Sequence, residues 1–220
     1  MVCFIVYPRK SQFNHAFDWM REVAHKYDVE LVLRFDDQIF LENSLPDMVF
    51  MRGYNFDLSR WFETRGVRVV NSSDSMALAL NKYLSHLAFI KFGLPVSSTY
   101  KVQLGIDYST AVSMIGDSRF IIKGIYGQKG EQVWLVDDEN SYAAATNQCD
   151  KEFLIQKFIE ESYGRDIRVW VVGNKAVGAV LRENKTSFKS NISAGGTARK
   201  FDLTPEISCL AVEATNAVGL

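Results

Sequence analysis

The sequence predicts a mixed fold, a small α/β domain followed by a β-richer α+β region, and three observations carry that prediction. From Val2 to Asn71 short continuous apolar runs alternate with stretches of helical spacing, the pattern of strands and helices built around a mostly parallel sheet. Beyond Thr99 the apolar runs are strand-like and come in pairs joined by turn residues, which suits antiparallel hairpins. Of the 220 residues 47% are hydrophobic and 13% aromatic, enough to bury a core in one large domain or two small ones.

Taken in order, "VCFIVY" (Val2–Tyr7) is the first strand, and Ser11–Tyr27 follows as a helix with Phe13, Phe17, Met20, Val23 and Tyr27 on one apolar face. "VELVLRF", "MVFMRG" and "VRVV" supply three more strands, with a short helix near Leu58–Arg65. One helix is expected next, capped by Ser73 or Asp74, carrying Met76, Leu80, Tyr83, Leu84, Leu87 and Ile90, and stopped by Gly93 and Pro95. Past it come a strand at Thr99–Val102, a helix at Ser109–Ile115, the hairpin "FIIKGIYGQKGEQVWLV" and the strand "FLIQKFI". "IRVWVV" and "AVGAVL" pair across Gly173 and Asn174, both tolerant of positive φ, and Pro205–Val218 is the last helix. The organisation read from this is a first domain over 1–72, a linking helix over 73–98, a small β-rich subdomain over 99–160 and a second subdomain over 161–220.

Twenty-five basic residues against 26 acidic ones leave a net charge of -1, so no global charge favours nucleic acid or an anionic membrane, and any anion site is local. Cys3, Cys149 and Cys209 are odd in number and far apart, with no C-x-x-C pair, and are expected as reduced, buried thiols. The opening apolar run is too short for a signal peptide and nothing approaches membrane-spanning length, so the expected compartment is the cytoplasm. His15, His25 and His86 are scattered and read as helix-surface or packing residues; Trp19, Trp61, Trp134 and Trp170 read as core or interface.

Phosphate-binding loops of the strand–loop–helix kind need a helix after the glycines. Here strand-like residues flank "GIYGQKGEQ" on both sides, so the glycines form a hairpin tip. Gly127 and Gly130 allow close backbone approach to a triphosphate, and Lys123 or Lys129 can neutralise its charge. An ordinary exposed hairpin with solvated lysines fits this stretch equally well. Further on, Glu160, Glu161 and Asp166 lie near a strand end, main-chain groups of Lys157–Ile159 can read an adenine edge, and Arg182, Lys189, Ser190 and Asn191 precede the glycine-rich "SAGGTARK". Arg52, at the end of its strand beside Gly53, is a candidate carboxylate site because ligands of open α/β sheets sit outside strand C-terminal ends; a surface ion pair is its plainer reading.

The order "NKYLSHLAFIKFGLPVSSTY", "FIIKGIYGQKGEQVWLV", "FLIQKFIEESYGRDIRVWVVGNKAVGAVLREN" and "FKSNISAGGTARKFDLTPE" closely resembles the ATP-grasp superfamily, and within it the RimK-like amino-acid ligases, from about Asn71 onward. The first domain then corresponds in pattern to the Rossmann-like domain that precedes such a module. The resemblance implies ATP and Mg2+ as cofactors and a carboxylate–amine ligase acting through an acyl phosphate, with amino-acid, peptide or protein substrates; a non-catalytic nucleotide-binding protein is the alternative. By the same resemblance Lys82 and Lys123 reach the phosphates, and Gly127, Gln128, Lys129 and Gly130 form a flap over them. Gln156, Lys157, Phe158 and Ile159 hold adenine, Glu161 is a ribose candidate and Asp166 contacts the nucleotide. Arg182 and Asn191 are the catalytic candidates, Arg168 joins Arg52 as a substrate candidate, and Lys189, Ser190 and Asn191 match an Arg-Ser-Asn segment in which lysine now stands for arginine, a point charge for a bidentate fork. The family's metal ligands lie in a later stretch, an Asp and a Glu-x-Asn, so the module reads as incomplete at Leu220 and no residue here is assigned to metal. Neither nucleic acid nor membrane is expected as a partner, and a homo-oligomer is left open.

Overall fold

The structure, a computed structural model, describes residues 1–9, 16–38, 44–127 and 130–220. It divides into two compact units, Met1–Ala77 and Leu78–Gly219.

In the first unit β1 (Val2–Tyr7), β2 (Glu30–Phe35), β3 (Met48–Met51) and β4 (Arg68–Val70) form a fully parallel sheet in the order β2-β1-β3-β4. Helices α1 (Ala16–His25) and α2 (Phe56–Glu63) connect them. Phe4, Val6 and Val49 bury against Leu58 and Phe62 of α2, the continuous apolar runs expected of strands covered on both faces. Asn55 caps α2 by accepting from the Leu58 N–H. The helix expected from Ser11 is described only from Ala16, and Tyr27 lies beyond its end and is exposed. Phe13 and His15 lie outside the described residues.

The single helix expected near residues 73–93 is two, α3 (Ser73–Leu80) and α4 (Lys82–Lys91). Asn81 is the reason: its side chain accepts from the N–H groups of Tyr83 and Leu84, a cap that begins a new helix. Neither Ser73 nor Asp74 caps α3. The Ser72 hydroxyl accepts from the Ser75 N–H, while Ser73 donates to Glu63 and Asp74 pairs with Arg60. Gly93 follows α4 at φ +70, as a helix-ending glycine should.

The second unit contains two antiparallel sheets. The first comprises β5 (Thr99–Gln103), β6 (Phe120–Gly124), β7 (Val133–Val136) and β8 (Glu152–Lys157), ordered β5-β8-β6-β7. Helices α5 (Tyr108–Ile115) and α6 (Glu139–Thr146) cover one face, where Ala111, Ile115, Tyr142 and Ala145 meet Val102, Phe120, Ile122, Phe153 and Ile155. Strand period two then decides everything on the other face: with Phe120 and Ile122 in the core, Ile121 and Lys123 point away from it, as do Leu154 and Gln156 when Phe153 and Ile155 point in. The second sheet, ordered β11-β10-β9, is β9 (Arg165–Val172), β10 (Lys175–Glu183) and β11 (Thr197–Phe201), with α7 (Pro205–Ala217) packed on it. Both α6 and β11 went unread in the sequence. Among the described residues no helix is long and apolar enough to cross a membrane.

Of the cysteines, Cys3 is buried as expected, but Cys209 is exposed on α7. Trp61 and Trp134 pack against the two cores, whereas Trp19 and Trp170 are exposed, so neither of those two is a core residue.

Candidate nucleotide cleft

The face of the first sheet not covered by α5 and α6 borders a cleft of about 350 Å³, within the range of small-molecule sites. β6 and β8 present Ile121, Lys123 and Gln156 to it; the end of β8 and the segment after it add Lys157, Phe158 and Ile159; β9 adds Arg165 and Asp166; and the loop after β10 adds Phe188, Lys189, Ser190 and Asn191. Gly130, at the returning end of the hairpin tip, closes one side. Ten of the residues singled out in the sequence thus share one cavity. Ser97, Ile121, Val133, Ser162, Arg165 and Phe188 also line it and were missed. Only the apolar ones had a readable signal, Ile121 and Val133 by lying on strands beside the glycine loop.

The walls differ in character. Ile121, Val133 and Ile159 are apolar, and Phe158 packs edge-on against both Tyr163 and Phe188, giving a slot suited to a flat ring. Arg119 fixes that wall from behind: its guanidinium lies 5.4 Å from the Phe158 ring centre and pairs with Asp137 at 2.6 Å and Glu160 at 2.8 Å. Glu160 opens the 3-10 turn Glu160–Ser162 that links the two sheets, so the link is clasped to the first sheet.

The other wall is cationic. Lys123 donates to the Gln156 side-chain oxygen, and Gln156 donates in turn to Thr99 at 2.7 Å. Burial, with the charge of Lys82 second, brings the Lys123 ammonium down to about 8. Lys82 is lowered by burial as well. It lines not this cleft but an adjoining cavity of about 480 Å³ shared with His86, with Lys123 and Gln156 common to both. The Lys82 ammonium donates to the Gly127 carbonyl at 3.1 Å, and the Lys189 ammonium to the Gly130 carbonyl at 2.8 Å. The two ends of the glycine tip are therefore each held by a lysine. Gly127 at φ +119 and Gly130 at φ +77 adopt backbone that only glycine takes easily. Gln128 and Lys129 lie outside the described residues. Asn81 adds a further tie, donating to the Tyr126 hydroxyl at 3.0 Å. Asn81→Ala is expected to cost about 1 kcal/mol through loss of the cap, read as a lower urea midpoint.

Asp166 carries the polar centre. Burial pushes its carboxyl up, but hydrogen bonds from Arg182 and Ser190 and the charges of Arg182 and Arg168 outweigh that, leaving it below the usual carboxylate range. Arg182 binds it in bidentate fashion, Nε at 2.7 Å, and Ser190 Oγ donates at 2.8 Å. Arg182 is consequently committed to Asp166 and does not line the cleft, contrary to its expected place at a transferring phosphate. Glu161 does not line it either; its carbonyl accepts from Arg165 at 2.7 Å, and the neighbouring Ser162 is among the lining residues. Arg168 is exposed on the face of β9 that bears Asp166. Arg52 belongs to the first unit, where its guanidinium lies 5.4 Å from the Phe50 ring and 5.9 Å from the Tyr7 ring. Among the described residues no group of three or more His, Cys, Asp or Glu could hold a metal ion.

Two sheets closing on a cleft with a glycine hairpin at its mouth define the ATP-grasp fold, and a solved structure bears this out. The RimK domain ATP-grasp protein of Sphaerobacter thermophilus superposes with a TM-score of 0.75 at 18% identity, over 100% of this chain and 83% of that one. The family model described as the RimK-like ATP-grasp domain matches residues 79–220, and the chain belongs to that family. It is 32% identical over 179 residues to a "Probable alpha-L-glutamate ligase" of Parasynechococcus marenigrum, covering 80% of this chain and 38% of that protein. It is 34% identical over 180 residues to the tetrahydromethanopterin:alpha-L-glutamate ligase of Methanosarcina acetivorans, covering 76% of this chain and 55% of that protein. The chain thus spans about 38% and 55% of the length of these two relatives.

Proposed function

We propose that this chain carries the nucleotide-binding part of an ATP-dependent carboxylate–amine ligase that adds glutamate to an acceptor. The observation that carries the reading is a donor–acceptor pair where β8 ends and the segment after it begins. The Lys157 N–H is taken by the Ser98 carbonyl at 2.9 Å. The Lys157 carbonyl accepts from Ser97 at 2.8 Å and keeps a second lone pair. Two residues on, the Ile159 N–H has no partner among the described residues. An acceptor followed by a donor complements the amino group and ring nitrogen of adenine's edge, while the slot between Phe158, Ile121 and Val133 takes its faces. Lys123 and Lys189, with Lys82 in the adjoining cavity, supply counter-charge for the phosphates.

In this reading a substrate carboxylate oxygen attacks the γ-phosphorus, ADP leaves, and the acyl phosphate formed is attacked at its carbonyl carbon by an amine, which releases inorganic phosphate and a proton. A carboxylate alone lacks a leaving group, so the chain's work is to position the reactants, neutralise charge and exclude water. Magnesium, which the family uses, would supply further neutralisation of phosphate charge, and no residue described in this chain is assigned to hold it. The names of the two relatives support glutamate as the amino acid added, and the cytoplasm is the compartment where ATP would be met. Calorimetry tests the core of the proposal: ADP should bind, and GDP, whose base edge reverses the donor–acceptor order, should bind at least tenfold more weakly. Equal affinity for the two, or none for either, overturns it.

A further inference from the structure

The two groups that face the base edge are held in different ways. Lys157 closes β8, and its bonds with Ser98 and Ser97 fix both its N–H and its carbonyl, so the acceptor is set by the first sheet itself. Ile159 has no such anchor. Its carbonyl belongs to the 3-10 turn, accepting from the Ser162 N–H at 3.2 Å and the Ser162 hydroxyl at 3.1 Å, while its N–H is the donor offered to the base. The donor is therefore placed only as well as the turn is placed.

Arg119 ties the turn to the sheet. It directly precedes β6 and Asp137 directly follows β7; Phe120 pairs with Val136 in that hairpin, so the two side chains leave the same end of it. Asp137 holds the guanidinium at 2.6 Å from one side. On the other, Arg119 Nη1 reaches both Glu160 carboxylate oxygens, at 2.8 and 3.0 Å, and the guanidinium carbon lies 5.4 Å from the Phe158 ring centre. One planar group thus holds the residues on both sides of Ile159. The side chains of Arg119, Asp137 and Glu160 are 37%, 56% and 53% exposed, so these pairs add little to global stability and act on where the turn sits.

We propose that Arg119 is the positioning residue for base selectivity. It does not line the cleft and touches no nucleotide; it keeps the Phe158 ring and the Ile159 N–H in fixed relation to the Lys157 carbonyl. The inference rests on the nucleotide reading above. Adenine offers a donor to the carbonyl and an acceptor to the N–H, and guanine reverses that order, so telling them apart needs both protein groups held at one separation. A loosened turn would rearrange and accept either base.

The test is calorimetry at about 0.15 M salt with ADP, GDP and tripolyphosphate, on the parent, Arg119→Met and Glu160→Gln. The two substitutions break the same pair but change the local charge in opposite directions. Both should lower ADP affinity about tenfold and leave GDP within about twofold, so that the preference for ADP nearly disappears. Tripolyphosphate affinity and the urea midpoint should stay close to the parent's, which a merely structural role would not allow. Without nucleotide, hydrogen exchange of the Ser162 and Tyr163 amides, both bonded within the turn, should quicken in each variant. Opposite changes in the two variants would point to charge instead of position, and a matching loss of tripolyphosphate to general damage; either overturns the proposal, as does unchanged amide exchange. A parent with no preference for ADP sinks the nucleotide reading and this inference with it, whereas a parent that prefers ADP beside variants that keep the preference sinks this inference alone.

Discussion

Lys123→Met is expected to make the chain more stable and its cleft nearly useless. Lys123 is a base whose ammonium is held at about 8 instead of its ordinary 10.5, chiefly by burial. The folded chain therefore binds fewer protons than the unfolded one between those values, and stability rises with pH across that window. Below pH 8 the full cost of burying the charge is present. Replacing the ammonium by a thioether of similar length removes it, and after allowing for residual exposure and for the Gln156 oxygen left without its donor, a gain of about 1–2 kcal/mol, or a Tm rise of about 3–6 °C, is expected at pH 7. ADP affinity should fall by about 100-fold, the usual cost of deleting one partner of a desolvated charge contact. In the parent, affinity should stay level up to pH 8 and decline above it, because phosphate binds the protonated form; the variant should show no such decline. Thermal unfolding and calorimetry across pH 6.5 to 9.5 check all three, and a variant less stable than the parent at pH 7 refutes the electrostatic account.

Gly164→Ala has the opposite expected signature, loss of both stability and binding. Gly164 is at φ +63, and a Cβ there would sit 2.2 Å from the Asn184 carbonyl and 2.7 Å from that of Ser187. Both are main-chain atoms of the loop that carries Phe188 to Asn191 into the cleft, and Asn184 also donates to the Gly164 carbonyl at 2.8 Å. The loop must move to admit one methyl group. Overpacking together with left-handed backbone strain gives a cost of about 3 kcal/mol, with nucleotide affinity lost alongside. Gly173→Ala is the control: its φ is +55 but nothing lies within 4 Å, so about 1 kcal/mol and intact binding are expected. Urea unfolding and ADP titration of the pair separate collision from strain.

How much of this was legible depends on whether the signal was local. The alternation in "FIIKG" and "EFLIQK" is enough to set Lys123 and Gln156 on the face opposite the core, and both line the cleft. The pairing of Arg182 with Asp166 was hidden, because it depends on register between β9 and β10, which no single stretch encodes. The break at Asn81 was hidden by good helix formers on either side, though an asparagine in mid-pattern was the available clue. α6 was not read in the sequence, yet Asp138 and Ser141 form a capping box ahead of an alanine run, a start signal that was present. β11 has every residue but its last exposed, so apolar alternation had nothing to mark.

The lysine ties at Gly127 and Gly130 bear on anion binding. Main-chain oxygens at both ends of the tip each take one N–H of a lysine, so two of the cations are oriented by the hairpin itself. Each ammonium keeps further N–H donors beside its bond to a glycine carbonyl, so the same two groups that hold the hairpin tip have donors left for an anion.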